Sequence, residues 1–124
     1  MHTRVAKIPG PEHPISIERD PRRVVVRAAG RVVAETTEAL DLKEAQYPVV
    51  MYIPRRDVDM SQLQVMDHST YCPYKGECTY YSIPSVGQKG VNAAWSYEKP
   101  FASVAQIDHH LAFYADRVDA IEVG

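Results

Sequence analysis

Two cysteines, one tryptophan and two phenylalanines in 124 residues exclude several kinds of protein at once. A disulfide-dense secreted scaffold needs far more cysteine than this. No apolar stretch approaches the roughly 20 residues that a helix needs to cross a bilayer. The opening segment, Met1-His2-Thr3-Arg4-Val5-Ala6-Lys7-Ile8, lacks the apolar core of a secretory signal. The expectation is a cytoplasmic protein whose thiols stay reduced unless they have a redox task. An excess of charge of one sign is missing too. A formal net charge of −2 argues against a general nucleic-acid binder, which carries a strong positive excess. The pairs Arg22-Arg23 and Arg55-Arg56 read as solvated strand-end charges in preference to an anion-binding patch. Repeats, low-complexity tracts, the glycine-rich phosphate loop and the dinucleotide fingerprint are all absent.

What is present is an ordinary globular composition, 45% apolar and 24% charged, of a length that suits one domain spanning residues 1–124. Residues 1–14 hold Pro9, Gly10, Pro11 and Pro14 and read as an extended lead-in, because proline cannot serve a long helix or a central strand. From Ile15 onward short β-type runs follow one another: 15–18, 22–28, 31–36, 38–42, 49–53, 65–68, 78–83 and 91–97. Ala29-Gly30 marks a tight turn between the second and third runs. Asp59-Met60-Ser61-Gln62 has the acid-then-glutamine spacing of a short helix start. Residues 85–90 read as a flexible connection. In the last third, Val104, Ile107, Leu111, Tyr114 and Val118 recur at helical steps, whereas 111–114 and 118–123 also read as strands. We assign a short helix over about 101–108 and then a closing pair of strands. The sum is a mainly β domain.

One stretch concentrates reactive groups. Asp67-His68-Ser69-Thr70-Tyr71-Cys72-Pro73-Tyr74-Lys75-Gly76-Glu77-Cys78 carries acid, base, thiols, hydroxyls and an amine on a turn-rich segment with both cysteines. Cys72 has Lys75 three residues on, a cation able to favour the thiolate, and His68 four residues earlier as a base. The alternative is a half-buried loop cysteine beside a solvated lysine. A Cys72–Cys78 bridge is sterically allowed by the five intervening residues, but the spacing is not that of the usual redox pair. His68, Cys72 and Cys78, with His109 or His110, are zinc-type ligands at no compact zinc spacing, so no metal is assigned. His109-His110 otherwise reads as a polar pair ending a short helix. Asp57-Val58-Asp59 places two carboxylates on one side of an extended segment, although helix capping accounts for Asp59. Tyr71, Tyr74, Tyr80, Tyr81, Trp95 and Tyr97 gather near the same stretch. Strand alternation sets Tyr81 opposite to Tyr80 and puts Trp95 and Tyr97 together, as pocket wall or as cross-strand packing.

Cys72-Pro73-Tyr74-Lys75-Gly76, then Tyr80-Tyr81-Ser82, Asn92-Ala93-Ala94-Trp95-Ser96-Tyr97, His110-Leu111-Ala112-Phe113-Tyr114 and Val118-Asp119 resemble, in that order, domain-of-unknown-function family 427. This is a family of small bacterial proteins that has also carried a nucleotidyltransferase label. The resemblance covers about residues 13–122. It implies a compact single domain dominated by a folded-over antiparallel sheet, barrel-like or tent-like, with one or two short helices. It singles out Cys72, Lys75, Asn92, Trp95 and Tyr97. Cys78 departs from the pattern, which often has a small residue there, and this counts against both the bridge and the zinc set.

Three functional readings follow. The first is a pocket for a small anionic or aromatic ligand, lined by His68, Cys72, Tyr74, Lys75, Asn92, Trp95 and Tyr97, with Lys75 supplying the charge. The second is an enzyme that uses Cys72 as nucleophile or redox centre, tuned by His68 or Lys75. The third is a non-catalytic structural or partner-binding module. No cofactor is assigned, nucleic acid and membrane are not expected as partners, and a symmetric homodimer is compatible with an open β edge.

Overall fold

The computed structural model describes residues 5–124, and the architecture is mainly β. Ten strands form two antiparallel sheets: β1 (Ile15–Asp20), β2 (Val24–Ala28), β3 (Arg31–Thr36), β4 (Ala39–Glu44), β5 (Val50–Pro54), β6 (Gln64–Cys72), β7 (Gly76–Ser82), β8 (Ala94–Ser96), β9 (His110–Phe113) and β10 (Ala120–Val123). The large sheet runs β1-β4-β5-β9-β8-β7-β6 and the small one β10-β2-β3. The large sheet does not close on itself, since β1 and β6 are its two edges. Between the strands lie short 3₁₀ segments. No helix among the described residues is long and apolar enough to cross a membrane.

Local chemistry explains most of the boundaries. Ala29 and Gly30 both take positive φ, 51° and 74°, as the two-residue turn between β2 and β3 requires. Asp59 caps the 3₁₀ turn Met60–Gln62, its side chain accepting the Ser61 N–H. The helical spacing from Val104 to Val118 does not build one helix. It is divided between the 3₁₀ segment Ala102–Ile107, strand β9 and a further 3₁₀ turn at Ala115–Arg117. The last two strands are present but do not pair with each other, because β9 joins the large sheet and β10 the small one. The connection at 85–90 is also structured, as two 3₁₀ turns kinked at Gly87.

Alternation divides the apolar residues between the two faces of the large sheet. Ile53, Tyr81, Ala94, Leu111 and Phe113 face the small sheet and join Val24, Val26, Val33 and Ile83 in one core. Tyr52, Cys78 and Ala112 point the other way and join Leu42, Tyr97, Val104 and Ile107, with Cys72, Tyr80 and Trp95 packed against them. Each fully buried aliphatic side chain in the first core contributes about 1.5–3 kcal/mol of transfer free energy. The second core holds three tyrosines, a tryptophan and both thiols. That composition is the first structural sign of a site.

Candidate functional site

The reactive run is a hairpin rather than a loop. β6 continues through Cys72, three residues turn the chain, and β7 starts at Gly76, paired with Cys72. The Lys75 N–H closes the turn on the Cys72 carbonyl at 3.3 Å. Gly76 has φ 114°, and a Cβ there would stand 3.3 Å from the Lys99 carbonyl, so glycine serves both the turn and the close approach. The Phe101 N–H donates to the Lys75 carbonyl at 3.0 Å and fixes the tip from below. The lead-in fastens it on the other side. Lys7 N–H donates to the Pro73 carbonyl, the Tyr71 hydroxyl donates to the Val5 carbonyl, and His13 stacks on Tyr74 with ring centroids 3.9 Å apart.

Lys75 is 8% exposed, set between the half-buried Tyr74 and the buried Gly76. Its ammonium donates to Glu44 of β4 and stands 5.6 Å from the centre of the Tyr97 ring. Glu44 also meets His13 Nε2 at 2.8 Å. Burial pushes the Glu44 carboxyl up, but the bonds from Lys75 and His13 outweigh this and hold it below the usual carboxylate range. The charge is thus taken up by Glu44, not by the Cys72 thiol as the spacing suggested. No sequence signal marks Glu44, which lies 31 residues from Lys75.

Beside this pair opens a cavity of about 170 Å³. Lys75, Cys78, Tyr80, Trp95 and Tyr97 line one side, and Leu42, Glu44, Val50 and Tyr52 the other. Trp95 Nε1–H donates to the Tyr52 hydroxyl at 3.2 Å across it. Burial raises the phenols of Tyr52 and Tyr97 well above the usual tyrosine range and pushes Tyr80 up to about 12. These hydroxyls therefore stay protonated and act as hydrogen-bond partners, not as bases. Burial also pushes the Cys78 thiol up, which disfavours the nucleophilic thiolate.

A family profile described as Domain of unknown function (DUF427) matches residues 16–124. The chain belongs to this family. No curated protein sequence matches it. In this DUF427 chain the residues that sequence reasoning singled out fall into three places. Lys75, Trp95 and Tyr97 share the cavity. Cys72 is half-buried on the same sheet face, as a neighbour of the second core. His68 and Asn92 border a separate depression with Tyr80, Tyr114, Asp116 and Arg117, and the His68 ring leans on Tyr80 at 4.7 Å. Tyr74 faces the lead-in through His13. Cys72 and Cys78 are both free thiols. Among the described residues no three His, Cys, Asp or Glu side chains gather as a metal would need, so the set His68, Cys72, Cys78 with His109 or His110 is not assembled. The carboxylates of the Asp57-Val58-Asp59 run are occupied locally: Asp57 accepts from Thr36 at 2.7 Å, and Asp59 accepts from Ser61 and Gln62.

Proposed function

We propose that this DUF427 protein is a small-molecule-binding module that takes a compact aromatic acid into the cavity beside Lys75. The observation that carries this reading is a buried ion pair opening on a wall of hydroxylated rings. Taking two charges out of water costs several kcal/mol, so a purely structural role for such a pair is weakly favoured at best. Lys75 has three N–H donors and Glu44 accepts from one of them, leaving donors for a carboxylate at the cavity mouth. Tyr52, Tyr80, Trp95 and Tyr97 supply ring faces and polar edges for a planar group. A volume near 170 Å³ suits one ring, since an apolar cavity of about 150 Å³ admits benzene.

Trp95 is the sole tryptophan of the chain and lines this cavity, so tryptophan emission reports on its surroundings. The test titrates benzoate, benzyl alcohol and benzylamine while following Trp95 emission and the melting midpoint. Benzoate changes the emission and raises the midpoint, by about 2.7 kcal/mol of stabilisation at a hundredfold excess over Kd. Benzylamine does neither, and Lys75→Met abolishes the benzoate response. Equal responses to all three compounds, or a Lys75→Met protein that responds like the parent, overturn the reading.

A further inference from the structure

We infer that the cavity beside Lys75 is the head compartment of a longer amphipathic site, whose tail passes between β5 and β9 into the cleft separating the two sheets. This inference rests on the reading above and extends it to the ligand's shape.

The observation behind it is a lapse in the large sheet. β5 and β9 are neighbours, yet they pair only at Ile53↔Leu111 and Pro54↔His110. Beyond those pairs Val50, Met51 and Tyr52 continue along β4, while Ala112 and Phe113 continue along β8, so no ladder joins the two edges there. A sheet with a full ladder separates its two faces completely. Here that backbone pairing stops short at a seam, and the side-chain bond from Trp95 Nε1–H to the Tyr52 hydroxyl reaches from β8 to β5 in its place. A side-chain bond yields to a rotamer change, whereas a backbone ladder does not.

On the far side of the seam lies a second cavity, of about 240 Å³, with Val24, Val26, Met51, Ile53, Phe113 and Ile121 among its walls. No charged side chain lines it. Val50 and Trp95 border both cavities and so form the partition between them. One end of the combined site offers the Lys75 ammonium beside its Glu44 partner, together with hydroxyls, and the other offers only apolar side chains. The ligand class that satisfies both ends is an aromatic carboxylic acid with an apolar substituent opposite the acid group. Its carboxylate lies toward Lys75, its ring beside Trp95, and its substituent among the valines and Phe113.

The experiment measures Trp95 fluorescence titrations with benzoate and with 4-ethyl-, 4-butyl- and 4-hexylbenzoate, each below its aggregation concentration. Each methylene that enters the apolar cleft tightens binding about fourfold until the cleft is full. Ala115→Leu, which adds no fluorophore at an exposed position bordering only the apolar cavity, flattens that chain-length slope, a readout independent of absolute affinity. Benzoate binding without any gain along the series overturns the tail compartment and leaves the Lys75 reading standing. No binding by any member removes both. A slope that persists unchanged in folded Ala115→Leu protein places the tail elsewhere and also overturns the inference. Should that variant fail to fold, the slope in the parent protein still decides.

Discussion

The two cores on either side of the large sheet differ in chemistry more than in burial. The core shared with the small sheet is mostly aliphatic, with Val24, Val26, Val33, Ile83 and Leu111 all fully enclosed beside Tyr81 and Phe113. The core on the opposite face is equally inaccessible at Val104, Ile107 and Ala112, yet it carries Tyr52, Tyr97 and Cys78 and borders the Glu44–Lys75 pair. Maximal stability calls for the first composition, because buried hydroxyls and charges add desolvation costs that aliphatic groups do not. A face that accepts such costs around an open cavity is where binding is to be sought. The comparison teaches that the valine-rich strands supply the plainer packing, while the tyrosine-rich face carries the polar groups on which the proposed binding role rests.

This contrast can be broken or sharpened by substitution. The largest effect is expected in the aliphatic core, where Leu111→Ala leaves a cavity and costs about 3 kcal/mol in denaturant unfolding. On the tyrosine face Lys75→Met leaves Glu44 with only His13, for a loss of about 2–3 kcal/mol. The same variant moves the acid limb of stability. With its partners the Glu44 carboxyl lies below the usual range, so its contribution is present above about pH 4.5 and lost as pH falls through the depressed value. Without Lys75 that loss begins at higher pH, which a pH series of unfolding midpoints reads directly.

A smaller effect of opposite sign comes from Asp41. Burial, and after it the neighbouring Asp20, push its carboxyl up to about 6, while Arg22 holds Asp20 well below the usual range. An acid raised in the folded state adds stability below its unfolded value, near pH 4, and loses it as pH rises through 6. Partial exposure and solvent screening limit the loss to about 1 kcal/mol by pH 7. Asp41→Asn removes this decline, so its unfolding midpoint stays flat from pH 4 to 7 where the parent's falls. The smallest effect is Tyr97→Phe, which deletes one hydroxyl from the cavity wall. Stability changes by less than about 1 kcal/mol, whereas benzoate affinity falls measurably, and a variant that binds unchanged would return Tyr97 to plain packing.

The sequence made the β class legible through alternation, and the turns through residues whose chemistry is local: Ala29-Gly30, the Asp59 cap, Gly76. It placed Lys75, Trp95 and Tyr97 near one another because strand parity at Trp95 and Tyr97 needs no tertiary knowledge. It did not foresee Glu44, since nothing local tells a strand-end glutamate from its solvated neighbours when its partner is 31 residues away. In the last third the short helix and the two strands after it were legible, and they appear as the 3₁₀ segment Ala102–Ile107, β9 and β10; that the two strands join different sheets was not, because sheet membership is set by distant partners. His68 and Asn92 were grouped with Lys75 by nearness in sequence or by family pattern, but the bulged course of β6 and the positive φ of Asn92, 54°, direct them to the depression beside Tyr114.

The break in register between Val65 and Ser69 has a consequence for how copies of this chain behave when concentrated. β6 is a nine-residue border strand, mostly exposed, and an unbroken strand of that length is a ready template for fibril growth. The bulge twists the strand, and Asp67 and His68 fall within it, so a second molecule finds only short stretches in phase. Excising two residues at the bulge, where the step from Val65 to Ser69 opposes only that from Tyr81 to Thr79, would straighten the border and favour ribbon-like association.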